Sequence, residues 1–121
     1  MRERLPDTMS SVTHKGQVSG MEFYLTVGLF PNGKPGKLLI TIGKEGSTMA
    51  GWADGFGTAV SLLLQSQWTL NELADKFKNT IFEPRGNTKN KQIPVTTSIV
   101  DYIFKWMLIE FEESKDFATG D

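Results

Sequence analysis

The chain has 121 residues, with 13 basic and 14 acidic side chains, one histidine and no cysteine. That length suits one domain with a core of its own, burying roughly two-thirds of its unfolded surface. Without cysteine the sequence offers no disulfide, thiolate zinc site, iron–sulfur cluster or thiol nucleophile; one histidine excludes a histidine-rich metal site, and a net charge of -1 is unlike the basic balance of a protein that coats DNA.

The first half reads as strands. Val12, His14, Gly16 and Val18 alternate with Ser11, Thr13, Lys15 and Gln17, and Ser19-Gly20 offers a tight reversal. Phe23, Leu25, Val27 and Leu29 then share a face by period two. Pro31-Asn32-Gly33 is a turn signal, because Asn-Gly accepts positive φ angles, and Leu38, Ile40 and Ile42 continue as a third strand. A three-stranded antiparallel meander is expected.

The period then changes. From Ser47 to Gln65, Met49, Trp52, Ala53, Phe56, Val60 and Leu63 recur at helical spacing and are expected to form the core face. Asp54, Thr58, Ser61 and Gln65 form the polar stripe. Gly51, Gly55 and Gly57 weaken such a helix by about 1 kcal/mol each in an exposed interior, so close approach of another element is expected to compensate. Thr69-Leu70-Asn71-Glu72 is a capping-box signature for a short helix to about Asn79. Residues 80–92 read as a loop, and Pro94 is expected to open a last helix in which Ile99, Val100, Ile103, Phe104, Trp106 and Met107 make a broad buried face. Residues 112–121 read as an acidic flexible tail, leaving 1–111 as a single domain. The expected class is α+β, with about three C-terminal helices packed against the meander.

Two segments invite a ligand. Ile42-Gly43-Lys44-Glu45-Gly46-Ser47-Thr48 leaves a strand, passes two glycines and enters a helix, where unpaired backbone N–H groups suit a phosphate. Lys44 adds a charge, and Ser47 or Thr48 caps the helix or bonds a phosphate oxygen. It is not a Walker A loop, and a glycine turn with a serine cap is the common alternative. In Glu83-Pro84-Arg85-Gly86-Asn87, Arg85 can fork onto a phosphate or carboxylate and Asn87 can read a base or ribose edge; a solvated basic loop is the alternative. His14 falls in register with Val12 and Val18, as a half-buried structural histidine does, and Lys15 points the other way. Asp54 is the best candidate for a buried carboxylate, with a solvent-facing helical residue as the alternative. Trp52, Trp68 and Trp106 are read as core rather than as purine-stacking groups. No His–carboxylate pair or activated nucleophile marks an enzyme, and the basic residues from Lys76 to Lys91 give little support to nucleic-acid binding.

Several stretches, taken in order, resemble one family. They are Arg2-Glu3-Arg4-Leu5-Pro6-Asp7-Thr8, Val12-Thr13-His14-Lys15, Tyr24-Leu25-Thr26-Val27-Gly28-Leu29, Lys44-Glu45-Gly46-Ser47-Thr48, Asp75-Lys76-Phe77, Phe82-Glu83-Pro84 and Ser98-Ile99-Val100-Asp101-Tyr102-Ile103-Phe104-Lys105-Trp106. Together they resemble the TSCPD domain near the C-terminus of adenosylcobalamin-dependent (class II) ribonucleotide reductases, over residues 2–111. The chemistry of that family uses a cysteine thiyl radical and redox-active cysteines in a barrel and a tail. A cysteine-free sequence without room for the barrel does not reduce a ribonucleotide alone. The cysteine of the motif that names the family is missing here, and Arg85 stands after Phe-Glu-Pro where the reductase pattern has a small residue.

The resemblance favours a phosphate cradle at Lys44–Thr48. It implies a non-catalytic domain binding a nucleotide or nucleotide-derived signal through Lys44, Glu45, Gly46, Ser47 and Thr48, with Arg85, Asn87, His14, Lys15 and Asp54 around it, and with neither metal nor cofactor. A free copy of that kind suits sequestration or regulation in a compact phage genome. The alternative is an accessory module that docks on a ribonucleotide reductase. A homo-oligomer is expected from Gly51 and Gly55, four apart on one helix, and from the exposed edges of a small sheet. No apolar run approaches the roughly 20 residues of a membrane span, so a soluble, cytoplasmic protein is expected. Finally, residues 110–121 hold five acids and one base, so residues 1–109 carry 12 basic against 9 acidic side chains, a charge that favours an anion.

Overall fold

The computed structural model describes residues 2–43 and 47–112, the side chain of Ser47 excepted. They form β1 (Ser11–Val18), β2 (Met21–Leu29), β3 (Pro35–Ile42), α1 (Ser47–Gln65), α2 (Leu70–Phe77), β4 (Gly86–Asn87), β5 (Val95–Thr96) and α3 (Ile99–Phe111). The class is α+β, as the alternation and the helical spacing require: an antiparallel sheet in the order β1-β2-β3, then three helices. Two compact units arise, Met1–Lys15 with Glu22–Thr69, and Gly16–Met21 with Leu70–Asp121. Residues 113–121 of the expected acidic tail lie outside the described residues.

In the first unit β2 and β3 pair Phe23 with Ile42, Leu25 with Ile40 and Val27 with Leu38. Opposed residues share a face, so these six side chains make one apolar surface, all of it buried. The register shifts between Gly28 and Leu29. A bulge there breaks the alternation, and Phe30 is buried while Leu29, expected on the core face, is only half-buried. The following turn is a three-residue loop: Gly33 N–H donates to Phe30 C=O at 2.8 Å and Phe30 N–H to Lys34 C=O at 2.9 Å. Only Gly33, at φ 87°, takes the left-handed conformation. Asn32 serves through its side chain, which accepts from Lys34 N–H at 2.9 Å.

β3 is an edge strand, and α1 packs along it. An edge leaves backbone groups without a ladder partner, and buried groups of that kind must find one. Ser61 Oγ accepts from Leu38 N–H at 2.8 Å, and Gln65 Nε2 donates to Gly36 C=O at 2.8 Å. The Ser61 hydroxyl also lies 2.7 Å from Gly57 C=O and 3.3 Å from Leu38 C=O. This overturns the expected polar stripe. Ser61 and Gln65 are buried with Ala53, Val60 and Leu64, whereas Trp52, expected in the core, is 53% exposed and Phe56 and Leu63 are half-buried. The helix has rotated its hydrogen-bonding residues inward to satisfy the strand edge. Of the three glycines only Gly57 is needed for close approach: a Cβ there would lie 2.8 Å from Leu38 C=O, while Gly51 and Gly55 have nothing within 4 Å.

In the second unit Ser19 (φ 50°) and Gly20 (φ 90°) form the expected tight reversal, and Ser19 N–H donates to Asn87 C=O at 2.9 Å. The stretch expected as plain loop holds β4, which pairs antiparallel with β5 through Gly86–Thr96 and Asn87–Val95. Pro94 does not open α3. That helix starts at Ile99 with Ser98 as N-cap, whose side chain accepts from Asp101 N–H at 2.9 Å. α3 packs on α2, where Phe77 and Phe104 stack at 5.3 Å.

Candidate functional site

An open groove of about 820 Å³ runs along the first unit, walled by the N-terminal segment, the β3 edge and α1. The chain holds it open with small residues and short bonds. Glu3 N–H donates to Gln65 C=O at 2.6 Å, fastening the N-terminal segment to the end of α1. Gly36 makes room for Leu5 and Phe30, since a Cβ there would lie 3.0 Å and 2.6 Å from them. Gly28 does the same for Met9, at 2.6 Å.

Arg2, Arg4 and Lys37 face this groove with Asp7 and Asp54, and none of the five forms an ion pair among the described residues. Leu39, 46% exposed, and Leu62, 42% exposed, give it an apolar floor. Guanidinium forks and an ammonium beside leucines are chemistry for an anion that carries an apolar part. Exposure leaves those charges screened by salt, so any such attraction is strongest at low ionic strength.

The residues singled out from sequence lie differently. Lys44, Glu45 and Gly46 lie outside the described residues, as does the side chain of Ser47, whose backbone opens α1. Thr48 is exposed on the first turn of that helix. Asp54 is exposed rather than buried, because its position on α1 turns away from β3, and it belongs to the groove wall. His14 is half-buried on β1, as its register implied, and Lys15 pairs with Glu22 across 3.3 Å. Arg85 and Asn87 belong to the second unit: Arg85 pairs with Glu83 at 3.0 Å, and Asn87 is an exposed residue of β4. Arg2, Arg4 and Lys37 were not among the expected site residues. The alternation of Arg2-Glu3-Arg4 was the available signal, but nothing local says that a terminal segment returns to a strand edge.

The buried carboxylate of the chain is Asp101, at 0% exposure. Its Oδ1 accepts from Asn79 N–H at 2.5 Å, and its Oδ2 from Thr96 Oγ1 at 2.6 Å and Thr97 N–H at 3.2 Å, with Lys105 Nζ 3.2 Å away. Burial pushes this carboxyl up, yet the bonds from Thr96, Asn79 and Thr97 and the charge of Lys105 outweigh it, holding the group below its ordinary 3.8. The network ties the end of α2, β5 and α3 together and engages both carboxylate oxygens, so its work is structural. The Ser98-x-x-Asp101 spacing at a helix start was its sequence signal. Among the described residues no group of three or more His, Asp or Glu side chains is placed to hold a metal ion.

Fold and groove thus define an α+β chain with a groove lined by Arg2, Arg4 and Lys37 beside Asp7 and Asp54, and no thiol in its sequence. The chain belongs to the TSCPD domain family, whose model matches residues 2–111. It is 50% identical over 119 residues to a vitamin B12-dependent ribonucleotide reductase of Rhodopirellula baltica, covering 98% of this chain and 11% of that protein. Proteins of the same description from Streptomyces avermitilis and Bradyrhizobium diazoefficiens are 38% and 36% identical, over 92% and 99% of this chain and 12% and 10% of their own lengths. The chain therefore spans about a tenth of the length of the curated relatives it matches, and corresponds to their C-terminal region. No solved structure matches it. No helix among the described residues is long and apolar enough to cross a membrane.

Proposed function

We propose that this chain is an accessory module of ribonucleotide reduction that docks on a vitamin B12-dependent ribonucleotide reductase and contributes no redox chemistry. One observation carries the reading: nearly the whole chain matches one region of such reductases, at up to 50% identity. The sequence supplies no cysteine, so a thiyl radical or a dithiol has no place in it. B12 dependence belongs to the relatives' description. The groove here is an open trough without enclosing apolar walls, which does not fit a corrinoid, and the module takes no part in that chemistry. Binding to the Rhodopirellula reductase deleted of its matching region, followed by interferometry, tests the proposal. Saturable association supports it; none at 100-fold molar excess overturns it.

A second reading is favoured by the groove itself. Arg2, Arg4 and Lys37 around Leu39 and Leu62 suit a phosphorylated, nucleotide-like molecule, and the Lys44–Thr48 turn is a further candidate for its phosphate. A domain that binds such a ligand without converting it would sequester it. Calorimetry with nucleoside triphosphates against the bare nucleosides tests this reading. The triphosphates bind and Arg4→Ala weakens them; a folded protein that binds neither at millimolar concentration contradicts it.

A further inference from the structure

The groove differs between its two ends, and Gln65 fixes which is which. This residue closes α1 and is bonded twice: its C=O accepts from Glu3 N–H at 2.6 Å, and its Nε2 donates to Gly36 C=O at 2.8 Å. Arg2 and Arg4 flank Glu3, and Lys37 follows Gly36, so all three cations gather at the Gln65 end. Asp7 belongs to the same end, because Gly36 makes room for Leu5, and Gly28, the partner of Lys37, makes room for Met9. Three positive charges stand there against one negative. The other end holds a carboxylate alone. Asp54 lies eleven residues before Gln65 on α1, roughly 16 Å away along the helix axis. It is exposed, lines the groove with Thr58, and makes no ion pair or side-chain hydrogen bond among the described residues. Leu39 and Leu62 lie between the two ends.

We infer that this groove takes a guanine nucleoside triphosphate, laid along α1 with its phosphates at the Gln65 end and its base at Asp54. The inference rests on the nucleotide-binding reading above and names the base. An extended nucleoside triphosphate spans about the distance between the two ends. Two guanidinium forks and an ammonium take the phosphates, and Leu39 and Leu62 lie under the apolar faces of sugar and base. The carboxylate selects the base. A carboxylate accepts hydrogen bonds and donates none. Guanine sets two donors side by side on its Watson–Crick edge, N1–H and the N2 amino group, and the two oxygens of Asp54 meet both. Adenine sets its N6 amino donor beside the N1 acceptor, which a carboxylate repels; cytosine and uracil also lack two adjacent donors. A plain polyphosphate leaves Asp54 without a role, whereas a guanine nucleotide uses both kinds of charge in the groove.

Calorimetry of the full chain and of Asp54→Asn with guanosine, adenosine and xanthosine triphosphates, at low ionic strength, tests the assignment. Xanthine carries a carbonyl acceptor where guanine has its N2 amino donor, and an asparagine amide supplies the donor which that acceptor needs. Circular dichroism confirms that the exposed substitution keeps the fold, and the comparison of bases on the wild type stands without it. The wild type should bind guanosine triphosphate about tenfold more tightly than adenosine triphosphate, the discrimination of one bidentate contact to a base. Asp54→Asn should prefer xanthosine triphosphate to guanosine triphosphate. A wild type that binds the adenine nucleotide as tightly as the guanine one, or an Asp54→Asn chain without the preference for xanthine, overturns the choice of base and leaves the nucleotide reading intact. A folded wild type that binds none of the three at millimolar concentration overturns both.

Discussion

α3 buries Ile99, Val100, Tyr102, Ile103, Phe104, Trp106, Met107 and Leu108, whereas α1 leaves Trp52 and Leu62 in solvent and buries Ser61 and Gln65. Both helices are rich in apolar residues, and hydrophobic spacing alone would place both in a core. The difference lies in what each packs against. α3 meets the side chains of α2 and takes its polar anchor, Asp101, from a closed set of donors. α1 meets a strand edge, where the unmet need is for hydrogen-bond partners, so polar side chains turn inward and apolar ones are displaced outward. An edge-capping helix is therefore a place where polarity and burial part company.

Breaking the anchor of α3 is expected to have the largest effect. Asp101→Ala leaves the Asn79 and Thr97 backbone N–H groups without their acceptor and takes one partner each from the Thr96 hydroxyl and the Lys105 ammonium, and should cost about 3–5 kcal/mol, read from the denaturant midpoint. The same carboxylate sets a pH dependence. Its folded value lies below the ordinary 3.8, so its contribution is present above 3.8 and is lost as pH falls through the depressed value. Asp101→Asn should accordingly flatten the decline in stability below pH 3.8, measured by unfolding at a series of pH values.

Next in size are the contacts of α1 with the strand edge. Ser61→Ala orphans the Leu38 N–H and should cost about 1–3 kcal/mol. Gly57→Ala forces a Cβ against the Leu38 carbonyl and should cost a similar amount, about 1–3 kcal/mol. Two residues earlier the sign reverses. Gly55→Ala meets nothing and gains helix propensity, for a stabilisation of up to about 1 kcal/mol in the same assay. Equal effects at Gly55 and Gly57 would erase the distinction between the two sides of this helix. Smallest is Trp52→Ser, whose loss of an exposed stack should change stability by no more than about 1 kcal/mol, read by thermal unfolding.

Much of this was legible. The period-two runs placed the meander, Ser19-Gly20 its first turn, and the seven matching stretches the family. Legibility failed where a residue's fate depends on a distant partner. Ser61 and Gln65 look like solvent residues until β3 is known to be an edge, and Asp54 looks buried for the same reason. Pro94 suggested a helix start, but the cap bond of Ser98 sets it at Ile99. Arg2 and Arg4 join Lys37 only because Glu3 is fastened to the far end of α1, a contact no local pattern encodes.

Hydrogen–deuterium exchange of the wild type and of Ser61→Ala tests the edge-capping helix most directly. The Leu38 amide should exchange slowly in the wild type because Ser61 holds it, and faster in Ser61→Ala, with the peptide covering Lys89 to Gln92 unchanged. Fast exchange at Leu38 in the wild type, or no difference between the two proteins, would contradict the account.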